Sequence, residues 1–95
     1  MTDRQAYIDK QEAQRREVAA KIEILRARAA KADAQARITL NEQIEKLTRQ
    51  EEKYAERIGE LRQAGSEALQ DLKGGVENAW KELKEGVEKA MGKFA

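Results

Sequence analysis

The side chains in this chain that could carry chemistry are almost all carboxylates and cations: 18 Asp and Glu against 19 Lys and Arg, with no His and no Cys among 95 residues. Carboxylate catalysis needs a pair whose surroundings push the two pKa values apart, so that one is held as acid and the other as base. The acids here instead stand four residues before bases: Glu12 with Arg16, Glu17 with Lys21, Asp33 with Arg37, Glu42 with Lys46 and Glu45 with Arg49. That spacing places opposite charges side by side on a helix, worth about 0.2–0.5 kcal/mol per pair, and makes a solvated face. The doublets Arg15-Arg16 and Glu51-Glu52 read the same way. Without His the commonest general base and the commonest neutral metal ligand are both missing, and helical di-metal sites built on Glu-x-x-His cannot form. Lack of Cys excludes thiol catalysis, thiolate metal sites and disulfides. Gly74-Gly75 matches no phosphate-loop spacing. The sequence therefore predicts no enzyme, no cofactor and no small-molecule substrate.

A formal net charge of +1, with no half of one sign, provides no field for nucleic acid. All nine arginines lie at or before Arg62, whereas the tail uses only Lys. The start of the chain has no apolar signal core, and no run approaches the about 20 apolar residues of a membrane span. A cytoplasmic protein is expected.

What the sequence offers instead is an apolar stripe. Ala68 to Asn78 is followed at once by Ala79 to Lys89, two eleven-residue units identical at six positions, and a third opens with Ala90-Met91. Eleven residues make three turns at about 3.67 residues per turn, so the repeat keeps one face nearly in line. That face is Leu69, Leu72, Val76, Trp80, Leu83, Val87, Met91 and Phe94, with Ala68, Ala79 and Ala90 along one edge and Lys73 and Lys84 along the other. Such a stripe can pack on another protein helix, lie on a lipid surface with Trp80 and Phe94 inward, or form only on contact, since four glycines weaken it.

The element that must precede it reads as one long helix. Thr2 and Gln5 fit a capping box, so a helix should start near Asp3. Up to Arg57 there is neither Gly nor Pro. Apolar positions Ile8, Val18, Ile22, Leu25, Ala29, Ala32 and Ala36 recur at steps of three and four, with Gln11 and Arg15 as polar occupants of the seam. A stutter at Ala36, Leu40 and Ile44 leads into Leu47, Tyr54, Ile58 and Leu61, with Glu51 as the polar exception. Six alanines between Ala27 and Ala36 favour unbroken helix. A rival reading turns the chain back between Asp33 and Asn41, with Thr39 and Glu42 as a second capping box, but no Gly or Pro marks that reversal. Gly65-Ser66 is the best boundary, Gly closing one helix and Ser capping the next. The steps Leu61, Gly65, Leu69 and Leu72 nevertheless keep the seam in register across it.

Composition allows either outcome. Of the 40% hydrophobic residues, sixteen are Ala, leaving enough larger side chains for a small bundle or for one seam of a long helix. The expectation is an all-α chain in two parts: a long heptad-type coiled-coil helix over residues 1–64, running from about Asp3 to Ala64, and a shorter amphipathic helix over 65–95, from about Glu67 to Lys93, in coiled-coil or helical-hairpin packing. A long helix exposing Ile22, Leu25, Leu40, Ile44, Leu47 and Leu61 would leave a large apolar patch in water, so a homo-oligomer is expected through the whole seam, with a lipid surface as the alternative partner.

Two resemblances follow. Lys84-Glu85-Gly86-Val87 and Lys73-Gly74-Gly75-Val76 are similar to the eleven-residue motif of synucleins, and the pattern resembles exchangeable apolipoproteins and late-embryogenesis proteins. The whole chain resembles a family of small bacterial coiled-coil stress-response proteins of cyanobacteria and proteobacteria. The features that carry this are Thr2-Asp3-Arg4-Gln5-Ala6-Tyr7-Ile8, Lys31-Ala32-Asp33-Ala34, Gly65-Ser66-Glu67-Ala68, and the repeated Leu-Lys of 72–73 and 83–84 with Gly-Val-Glu. The resemblance implies a cytoplasmic, non-enzymatic helical protein associated with stress and leaves its molecular partner open.

Overall fold

The seam folds on itself. In the computed structural model, which describes residues 3–94, three helices of similar length follow one another: α1 (Asp3–Lys31), α2 (Ala34–Gln63) and α3 (Leu69–Lys93), the last entered through a single 3-10 turn at Ser66–Ala68. They form a bundle of about 51 × 20 × 18 Å. The expected long helix from Asp3 to Ala64 with a shorter partner is thus corrected to a three-helix bundle, because the chain reverses at Ala32-Asp33.

No Gly is needed for that reversal, since no residue there has a positive φ. Asp33 is extended (φ −67°, ψ 170°), and its carboxylate accepts from the Ala36 amide at 2.9 Å, making it the N-cap of α2. The Arg37 guanidinium reaches back to the Ala32 carbonyl at 2.9 Å, tying off the end of α1. Magnitudes decide the outcome. Breaking one helix costs a few backbone bonds, of which such a cap restores about 0.5–2 kcal/mol. Folding back buries Ile22, Leu25, Leu40, Ile44 and Leu47 against each other, each worth about 1.5–3 kcal/mol. Burial therefore overrides the helix propensity of the alanine run.

The polar exceptions of the seam also find partners through this fold. Tyr54 is fully buried, and its hydroxyl donates to Gln11 Oε1 at 2.5 Å. Arg15 lies 3.6 Å from Glu51. Of the five expected i,i+4 pairs, Glu17 and Lys21 stand 3.7 Å apart. Glu12 instead turns to Arg62 at 2.8 Å and Arg15 at 3.8 Å, and Arg37 spends itself on the Ala32 carbonyl. The expected Thr2 cap lies outside the described residues, as does the Ser66 side chain. The cap position of α3 is Ala68, which makes no side-chain bond.

Candidate functional site: the three-helix seam

The large apolar side chains of the seam face the bundle interior, wholly or in part, whereas Gly65 is exposed. Ile8, Val18, Ile22 and Leu25 of α1, Leu40, Ile44, Leu47, Tyr54, Ile58 and Leu61 of α2, and Val76, Leu83 and Val87 of α3 are buried; Leu69, Leu72, Trp80, Met91 and Phe94 are partly buried against them. Ala29, Ala79 and Ala90 join the core and allow close approach of the backbones. Ile24 and Ile38 are the large apolar side chains left exposed among the described residues, at 44% and 55%. Scattered single residues of this kind do not make a docking patch.

α3 runs beside α1 and against α2, and it is held at both ends and in the middle. Near its start, the Tyr7 hydroxyl donates to Glu77 at 3.2 Å, and the Lys73 ammonium lies 4.8 Å from the centre of the Tyr7 ring. Midway, Trp80 stacks obliquely on Tyr54 with ring centres 5.5 Å apart. At its end, Arg28 reaches the carbonyls of Met91 at 3.4 Å and Phe94 at 3.3 Å. Arg4 does the same for α2, donating to the carbonyls of Leu61, Arg62 and Ala64. With Arg37 on Ala32, each helix C-terminus therefore receives a guanidinium, which satisfies orphan carbonyls and sits at the negative end of the helix dipole. These three roles were not legible in the sequence. The signal that could have raised them is the confinement of arginine to the first two helices, but its meaning depends on which ends meet in space.

Gly86 packs tightly against α2. A Cβ there would stand 2.8 Å from Leu47 Cδ2 and 3.2 Å from Gln50 Oε1, so the absence of a side chain forms the notch that receives them. The other α3 glycines are different. Gly74 and Gly92 face open space, and a Cβ on Gly75 would meet Arg57 only at ordinary contact distance. Gly74→Ala should therefore raise stability by about 0.5–1 kcal/mol, by removing the flexibility glycine keeps in the unfolded chain. Gly86→Ala should gain none of this, because displacing a packed Leu47 offsets the same helix gain. Urea midpoints of the two variants check the contrast.

Two phenols are perturbed. Burial first, then the Glu77 charge and the hydrogen bond to it, push Tyr7 up to about 12. Burial also raises Tyr54, with smaller contributions from Tyr7 and Glu12. Both protonated forms are favoured by folding, so their contribution is full below the ordinary phenol value of 10.0 and is lost as pH climbs through the raised values. The melting temperature should fall from about pH 10 upward, and less steeply in Tyr7→Phe.

Among the described residues no group of three His, Cys, Asp or Glu side chains is placed to hold a metal ion, and no helix is long and apolar enough to cross a membrane. A shallow open groove between α2 and α3 is lined by Gln43, Lys46, Gln50, Glu82, Glu85 and Lys89 around the Gly86 notch. Its charges are mixed, and Gln50 Oε1 is buried there without a hydrogen-bond partner. The arrangement holds three helices together around one apolar core. No family model, curated protein or solved structure was found to match this chain.

Proposed function

We propose that this is a non-enzymatic structural protein of the cytoplasm, associated with stress as its resemblance to bacterial stress-response coiled coils implies, that self-assembles through its apolar seam. The closed bundle is the resting form. Assembly draws on α3, whose apolar face packs, wholly or in part, into the bundle on a helix that carries three glycines its packing does not require and no side-chain N-cap. Each such glycine weakens the helix by about 1 kcal/mol relative to Ala. The single observation that carries the reading is the Gly86 notch: α3 is shaped to the Leu47–Gln50 surface of α2, and a second copy of the chain offers that surface too.

Reversible binding to a lipid surface is the second reading. Trp80 and Phe94 on the apolar face and Lys73 and Lys84 at its edge suit an interface, where the Lys stems lie along apolar surface with the ammonium in water. α3 carries five acids and five lysines, so zwitterionic rather than anionic membranes are the fitting surface.

Sedimentation velocity across a wide concentration range tests the first reading, which expects growth of a dimer or larger species. A monomer at every concentration sinks it. Trp80 emission titrated with zwitterionic vesicles tests the second: a blue shift supports it, and an unchanged spectrum removes it.

A further inference from the structure

Resting on that self-assembly reading, we infer that two copies of the chain assemble by exchanging α3, with Ala64-Gly65 as the hinge. Three observations meet there. Ala64 leaves α2 in an extended conformation (φ −80°, ψ 150°), while its amide still bonds back to Glu60 at 3.0 Å. Gly65 has no positive φ and nothing within 4 Å of where a Cβ would stand, so no side chain packs on it, and the turned form is held by Arg4 on the Ala64 carbonyl at 2.8 Å and by the Ala68 amide on the Gly65 carbonyl at 3.1 Å. The seam passes through Leu61, Gly65, Leu69 and Leu72 at helical steps, so straightening the junction carries the α2 face into α3 without a slip of register.

A straightened chain leaves its α1–α2 hairpin with an empty seat for α3. The occupant that fits that seat is the α3 of a second copy, because the packing contacts of α3 are remade between chains, while the Arg4 bond to the Ala64 carbonyl and the Ala68–Gly65 turn bond are given up. Trp80 lies again on Tyr54, Gly86 again receives Leu47, and Arg28 again holds the carbonyls of Met91 and Phe94. Two chains related by a twofold axis satisfy each other and the assembly closes as a dimer. Closed monomer and exchanged dimer then differ in the junction, in the association entropy, and in the new contact where the two straightened junctions cross. The balance is set by concentration and by residue 65.

Substitution at Gly65 reads this directly. Gly65→Ala fits the open space of the closed form and favours helix at the junction by about five-fold per chain, hence about 25-fold in the dimer constant. Gly65→Pro requires an extended residue before it, which Ala64 already is, and disfavours a straight helix by about 150-fold per chain. Full-length wild type and both variants are compared by sedimentation velocity, with circular dichroism and thermal melting as the check on folding. The expected result is a wild-type dimer of unchanged helicity and Trp80 emission, enriched in Gly65→Ala and abolished in Gly65→Pro. A folded Gly65→Pro variant that dimerises as well as wild type overturns exchange while leaving self-assembly standing. No dimer in wild type or in Gly65→Ala overturns both. If Gly65→Pro does not fold, the Gly65→Ala comparison decides alone: an unchanged dimer constant overturns the hinge.

Discussion

Leu83→Ala is expected to be among the most damaging single truncations in this chain, costing about 2–5 kcal/mol in urea unfolding through lost burial and the cavity left behind. Leu83 is at 0% exposure midway along α3, three residues after Trp80 and three before the Gly86 notch, where α3 faces both other helices. A domain of this size has about 5–15 kcal/mol of stability to lose, so the loss is a large fraction of the whole. The matching control is Ile38→Ala, at a position 55% exposed on α2, where a change within about 0.5 kcal/mol is expected. Native-state hydrogen exchange adds the spatial detail: the amides of α3 should lose protection ahead of those of α1 and α2, because α3 is the glycine-weakened element. Equal losses for the two substitutions would remove Leu83 from the core.

Tyr54→Phe should cost about 1–3 kcal/mol although it deletes a single oxygen. The hydroxyl is the partner of Gln11 Oε1, and Gln11 is itself only 4% exposed, so the substitution leaves an amide oxygen buried without its donor. Gln14 Oε1 at 3.3 Å and the Gln11 carbonyl at 3.2 Å lie around the same hydroxyl, and Trp80 covers the ring. One polar layer thus joins α1 to α2 directly beneath α3. The double change Tyr54→Phe with Gln11→Leu should recover most of the loss, since an apolar pair leaves no orphaned group. Recovery of stability should not bring back uniqueness. The layer permits one alignment of α1 against α2, whereas an all-apolar seam tolerates neighbouring ones, and broadened amide resonances in the double variant would display that. A double variant as unstable as Tyr54→Phe would show that the ring, and not the hydrogen bond, is what the site requires.

The helices were legible because helical periodicity is a local property. Leu69, Leu72, Val76, Trp80, Leu83, Val87, Met91 and Phe94 share a face on any α-helix, whatever that helix later touches. The same holds for Ile8 to Ala29 in α1 and Leu40 to Leu61 in α2. The reversal at Ala32-Asp33 was not legible in the same way. Lys31-Ala32-Asp33-Ala34 contains nothing that forbids helix, and Asp33 becomes an N-cap only once the chain has turned. Gly65 is the converse, a residue that marks a boundary by type while the seam runs through it unbroken. The partners of the polar seam residues were equally hidden. Gln11, Arg15 and Glu51 read as exceptions in a one-dimensional pattern, and folding α2 back on α1 brings Gln11 to Tyr54 and Arg15 to Glu51.

By itself, the sequence determined that this chain is helical, which face of each helix is apolar, and that His- and Cys-based chemistry is outside its reach. Each of these depends on residue type and on spacing within a few turns. Only the tertiary structure decided who occupies the seam. Whether an apolar face meets its own chain or another depends on one junction, where the cost of ending a helix is set against the burial of both its halves. At Asp33 a side-chain cap lowers that cost and burial prevails. The arginines at the three helix ends record the same dependence, since a guanidinium can cap a carbonyl only when distant helix ends have been brought together.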